Sequence, residues 1–156
     1  MTNTENSGNK LVQLPFSILR EANMKRIPTF KNKKGELCHN SDGSDWSPAQ
    51  WLQAVLGELG EYANFRKKFE RGDISEKEFK IEASKELADV VTYLDILSYR
   101  LGIDLGKAVY NKFNEISSRI GSPIFIIEYH FIENEQRVAY YSVEKVEEPG
   151  IKKSSF

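Results

Sequence analysis

Two carboxylate pairs, Glu58-x-x-Glu61 and Glu86-x-x-Asp89, interrupt stretches that are otherwise largely apolar, AVLGELGEYANF and KELADVVTYLDIL. Positions three apart on a helix share a face, with Cβ atoms about 5–6 Å apart. Two such helices packed together therefore aim four carboxylates at one small volume. Like charges that close repel, and burying them is costly unless a cation lies between them. A donor set made only of oxygen suits Mg²⁺, Mn²⁺ or Ca²⁺ rather than zinc. The pattern predicts a pair of helices built around a hard cation, and such a cation in a cell usually means phosphate chemistry.

On an exposed face the same acids would be an ordinary solvated stripe. Their position inside apolar runs, and their recurrence on two helices expected to pair, favour convergence instead. Lys67 and Lys85 lie off the acidic faces, so local salt bridges account poorly for the pattern. On the second helix Glu82, Glu86, Asp89 and Tyr93 share a side. On the first, Glu58, Glu61, Asn64 and Lys68 do, which brings Lys68 among the candidate substrate-binding residues.

The chain has 156 residues, enough for one domain with a real core. Residues 1–9 are polar and expected to be disordered, and Leu11, Leu14, Ile18 and Leu19 suggest a short first helix broken before Pro28. Thr29 to Asp45 is polar and punctuated by glycine, so it reads as an extended loop. Ser47 followed by Pro48 starts a helix to about Glu70, with Trp51, Leu52, Val55, Leu56, Leu59 and Tyr62 as its apolar stripe. Ser75 and Glu78 form a capping-box signature that opens a second long helix to about Arg100, striped by Leu87, Val90, Val91, Leu94 and Leu97. Asp104 caps a third helix, Leu105 to Arg119. Residues 124–130 and 137–146 are β-branched and aromatic around the polar ENEQ, the signature of a hairpin. The expected fold is mainly α: a helical bundle over residues 10–121 with its motif core at 46–121, and a C-terminal β-hairpin and tail over 122–156.

Taken together, GELGE (57–61), KELADVVTYLDIL (85–97) and GIDLGKAVYNKFNEISSRIG (102–121) resemble the MazG-like, all-α nucleoside triphosphate pyrophosphohydrolases, most of all the small phage and bacterial forms. The resemblance runs from about Trp46 to Gly121, roughly half the chain, and leaves residues 1–45 and 122–156 uncovered. It implies that Glu58, Glu61, Glu86 and Asp89 bind Mg²⁺, with Mn²⁺ a possible substitute, and carry catalysis. It further implies a nucleoside triphosphate cleaved between its α and β phosphates to monophosphate and pyrophosphate. Tyr93 matches a position that lines the base pocket in some members, and Lys112, Asn114 and Arg119 match a segment that contacts phosphate or nucleotide. Many members begin the first motif with two adjacent acids, whereas Gly57 stands at the first of those positions here. Any role of that extra carboxylate is therefore lost.

Four acids suit one ion or two bridged by phosphate oxygens. Glu61 and Glu58 are both candidates for taking a proton from the attacking water, and spacing does not choose between them. Trp46, at a loop–helix junction, is a candidate for stacking on a base, whereas core packing is the simpler reading of Trp51. His39 and His130 are far apart and neither lies in an E-x-x-H pattern, which sets aside a carboxylate-bridged iron bundle. Lys31, Lys33 and Lys34 read as a solvated loop. A net charge of −1 gives no global field toward nucleic acid or membrane, and the single cysteine, Cys38, fits a reducing compartment. The expectation is a cytoplasmic enzyme that works as a homodimer or homotetramer, because helices of this length bury too little alone. Two rival readings are a dUTPase- or dUDPase-like or other nucleotide diphosphatase, and a non-catalytic helical interaction module.

Overall fold

Polar caps set where each long helix begins. Ser47 accepts a hydrogen bond from the Gln50 amide while the Gln50 side chain returns one to the Ser47 amide, and Ser75 and Glu78 do the same. Two of the amides left unpaired at each helix start are thereby satisfied, which fixes the helix register. The computed structural model describes residues 14–133 and 136–145. Its helices are α1 (Phe16–Arg26), α2 (Pro48–Glu70), α3 (Glu76–Arg100) and α4 (Leu105–Arg119), followed by strands β1 (Ile124–Glu133) and β2 (Gln136–Lys145). The chain divides into two units, residues 1–103 and 104–156. The expected N-terminal disorder, Leu11 and the tail beyond Lys145 lie outside the described residues.

In the first unit, α2 and α3 form an antiparallel helical hairpin. The turn between them closes on Gly72, whose φ of 78° lies in the left-handed region that favours glycine. One face of α2 carries Trp51, Val55, Glu58, Tyr62, Phe65 and Phe69, and one face of α3 carries Phe79, Ala83, Glu86, Val90, Tyr93 and Leu97. All twelve are buried or half-buried. The steps alternate between four and three, the spacing at which two helices keep one seam in contact. Rings mark both ends of that seam: Phe69 stacks on Phe79 at 5.1 Å, and Trp51 lies 5.9 Å from Tyr93.

The apolar stripes anticipated for these helices divide in two. Trp51, Val55, Val90 and Leu97 enter the seam, while Leu52, Leu56, Leu59, Leu87, Val91 and Leu94 are exposed. A stripe drawn at mixed three- and four-residue spacing spans more than one face, and only contact with the partner helix tells the faces apart.

Helix α1 starts later than its leucines suggest, at Phe16 with Pro15 as its N-cap, and Leu14 and Ile18 face solvent. It docks on α3 through polar groups instead. Asn23 Nδ2 donates to Asp95 Oδ2 at 2.9 Å, and Arg20 Nε donates to Asp95 Oδ1 at 2.9 Å. A 3₁₀ turn at Ile27–Thr29 follows, and Ile27 packs with Trp51 and Ile96 in the core of this unit.

In the second unit, α4 is clasped to the hairpin by Asn114, whose amide donates to the Ile126 carbonyl at 2.8 Å and accepts from the Ile126 amide at 2.9 Å. Strands β1 and β2 pair antiparallel from Ile124↔Lys145 to Glu133↔Gln136. The hairpin is as the sequence predicts, with β1 three residues longer and a shorter connection. The chain is mainly α with a small two-stranded sheet.

Candidate metal centre

Glu58 and Glu86 occupy seam positions, so the packing that buries Trp51 and Val55 also turns these two carboxylates toward each other. Asp89 lies almost one turn beyond Glu86 on the same side of α3. One oxygen from each of Glu58, Glu86 and Asp89 lies within 4.8 Å of the other two. Glu58 and Glu86 are half-buried, and Asp89 is exposed at the rim. Burial pushes the Glu58 carboxyl above the usual carboxylate range, and a hydrogen bond with Glu86 and the charges of Asp89, Glu86 and Glu61 push it further.

About half of the acids among the described residues pair with a cation, for example Glu70 with Arg66, Glu76 with Lys80 and Glu82 with Lys85. Glu58, Glu61, Glu86 and Asp89 take part in no ion pair among the described residues. Three oxygen donors that close, with repulsion left uncompensated by the protein, match the needs of a small hard cation. Glu61 stands apart from this trio. It is exposed, and it reaches the centre through its charge at Glu58.

The other expected site residues fall in different places. Tyr93 is half-buried, and its hydroxyl is pushed up first by burial and then by the Glu58 and Asp89 charges, with Arg26 opposing. It is therefore electrostatically part of the centre. Trp46 is half-buried, its ring 4.9 Å from that of Trp51. Lys68 is exposed, with its ammonium 4.8 Å over the Phe65 ring. In the second unit Lys112 is exposed and pairs with Glu115 at 2.6 Å, Arg119 ends α4, and the Asn114 amide is engaged by β1.

Three residues near the seam end had no role in the sequence reading. His39 sits among Phe30, Trp46 and Trp51, with ring centroids 5.0–5.1 Å away. Its Nδ1 faces the Asp45 carboxylate, which Arg100 also engages. Only Trp46, at the loop–helix junction, signals in the sequence that this loop returns to the helices. No periodicity links His39 to Trp51.

No protein-family model matches the chain, and no curated protein matches it at significance. No helix among the described residues is long and apolar enough to cross a membrane.

Proposed function

We propose that this chain is a divalent-metal-dependent nucleotide pyrophosphohydrolase that converts nucleoside triphosphates to monophosphate and pyrophosphate. The observation that carries this reading is the meeting of Glu58, Glu86 and Asp89 across the seam, with no ion pair to any of them among the described residues. The resemblance of the two acidic segments and the α4 segment to MazG-like enzymes supplies the substrate class. Glu58, Glu86 and Asp89 would hold Mg²⁺ or Mn²⁺. When bound, such an ion neutralises triphosphate charge and lowers the pKa of an attacking water.

The residues divide the remaining work. Glu61 lies beside the trio yet outside it, so its carboxylate stays available to take a proton from water. Water adds across the α–β phosphoanhydride, that bond breaks, and its electron pair leaves on the pyrophosphate oxygen. No covalent bond to the protein is needed. The resemblance, rather than the geometry, assigns Lys112 of the second unit to the phosphates. Its exposed pairing with Glu115 is weak and readily exchanged for a phosphate.

The test is pyrophosphate release from a panel of ribo- and deoxynucleoside triphosphates, with Mg²⁺ or Mn²⁺, by the wild type and by Glu86→Ala. Metal-dependent release that disappears in the variant is the expected result. Release from no triphosphate, by a folded protein with metal present, would rule the activity out and leave the interaction module.

A further inference from the structure

Helix α1 runs antiparallel to α3, and its polar contacts fix the register between them. Arg20 reaches Asp95 and the Ile103 carbonyl, and one turn later Asn23 reaches Asp95 and the Thr92 carbonyl. Each turn forward on α1 is thus about one turn back on α3. By the same step Arg26, three residues beyond Asn23, comes level with the stretch of α3 that carries Asp89 and Tyr93. Its charge is felt there. Burial pushes the Tyr93 hydroxyl up, the Glu58 and Asp89 charges push it further, and Arg26 pulls it down.

Arg26 nevertheless bonds to none of these acids. Its Nη2 donates to Asn23 Oδ1 at 3.2 Å, and it makes no ion pair among the described residues. Asn23 is 1% exposed, and its amide nitrogen is fixed by Asp95 and the Thr92 carbonyl. A buried amide therefore braces an exposed guanidinium whose remaining N–H donors no carboxylate claims. A basic residue in the last turn of a helix often does no more than face the carbonyl end of the dipole. Lys25 fits that description, since it is exposed and pairs with Glu21. Arg26 turns instead to Asn23 and so toward α3.

Charge supplies the reason for such a group. Three carboxylates outweigh one divalent ion, so a centre of this kind attracts the metal yet stays negative. A phosphate chain approaching it needs a cation from the protein as well. A guanidinium near the acids but not paired with them meets that need, because its fork takes two phosphate oxygens at once. Other cations of the first unit are engaged elsewhere, Lys68 over the Phe65 ring and Lys85 with Glu82.

We propose that Arg26 binds the phosphate chain of the substrate, its guanidinium spanning two phosphate oxygens while Asn23 acts as the positioning residue behind it. This rests on the nucleotide reading above and adds to it a phosphate ligand from α1, a helix outside the segments that resemble MazG-like enzymes.

Calorimetry on the full chain measures binding of an α,β-methylene deoxynucleoside triphosphate and of inorganic tripolyphosphate, each with Mg²⁺. Electron paramagnetic resonance measures Mn²⁺ binding without phosphate. Arg26→Gln should weaken both phosphate ligands about ten- to a hundredfold, the loss expected when hydrogen bonds to a charged group are removed. The same variant should bind Mn²⁺ as tightly as the wild type or more tightly, because a positive charge near the ion is gone. Arg26→Lys keeps the charge and loses the fork, so its phosphate affinity should fall between the two. Arg26 is exposed, so neither change disturbs the core, and circular dichroism checks the fold. Failure of the wild type to bind either phosphate ligand, or unchanged affinity in Arg26→Gln, would overturn the proposal. Mn²⁺ binding weakened in parallel would also overturn it, by reducing Arg26 to a structural role. Tripolyphosphate binding that depends on Arg26, without hydrolysis of any triphosphate, would uphold the phosphate site and remove the pyrophosphohydrolase reading.

Discussion

Glu58 bears the cost of the centre. Its folded-state pKa is raised, so between the unfolded and folded values the folded chain binds more protons than the unfolded one, and stability falls as pH rises through that raised value. The stabilising contribution is present below the unfolded carboxylate pKa and is lost above the folded one. Glu58→Gln removes the repulsion. In chelator at about pH 8 it should raise the thermal midpoint by about 2–4 °C, the effect of ~1 kcal/mol in a domain of this size. That gain should shrink as pH falls through the raised value, where Glu58 itself becomes protonated. Mn²⁺ should stabilise the wild type and not the variant. Calorimetry with and without chelator reads both, and a variant less stable than wild type in chelator would mean that Glu58 is favourably solvated. The residues of this centre were legible because carboxylates inside an apolar run violate the usual pattern. Glu61 fits the same three-residue spacing, yet it stands outside the trio, since spacing cannot say which member of a pair faces the seam.

At the scale of elements, caps and turns made α2, α3 and α4 readable to within a residue or two, because Ser47, Ser75 and Asp104 act locally. Helix α1 was less readable, since long-range polar bonds rather than apolar periodicity hold it. Asp95 is fully buried and is reached by Arg20 and Asn23 from α1, residues more than 70 positions away in sequence. Removing one partner of a buried pair leaves a charge without compensation. Arg20→Met should therefore cost about 3 kcal/mol in a urea titration, the low end of that effect because Arg20 is partly exposed. Arg20 also donates to the Asp95 and Ile103 carbonyls, tying the end of α3 to α1. A loss below about 1 kcal/mol, the size of one ordinary hydrogen bond, would show that Asn23 alone satisfies Asp95.

For the molecule as a whole, the first unit leaves much apolar surface uncovered. Leu52, Leu56 and Leu59 each follow a seam residue of α2 by one position, and Leu87, Val91 and Leu94 do so on α3. One position is 100° of turn, and antiparallel helices rotate in opposite senses when viewed from one end, so both stripes come to the same side of the hairpin. All six side chains are exposed. They carry no charge, and they lie on the side away from Asp89 and Glu61, which sit three positions beyond the seam. We propose that a second copy of the chain covers this face, pairing two helical hairpins through an uncharged, self-complementary surface. A homodimer or homotetramer then leaves the carboxylate side open to substrate. Light scattering should give a mass of two or four chains, and Leu56→Glu with Val91→Glu should reduce it to one. Because both positions are already exposed, the double variant should keep its helical circular dichroism at low concentration. A wild-type mass of one chain at micromolar concentration would refute the pairing. If the dissociated variant still binds Mn²⁺, the trio is complete within one chain, as its assembly from α2 and α3 of a single hairpin requires.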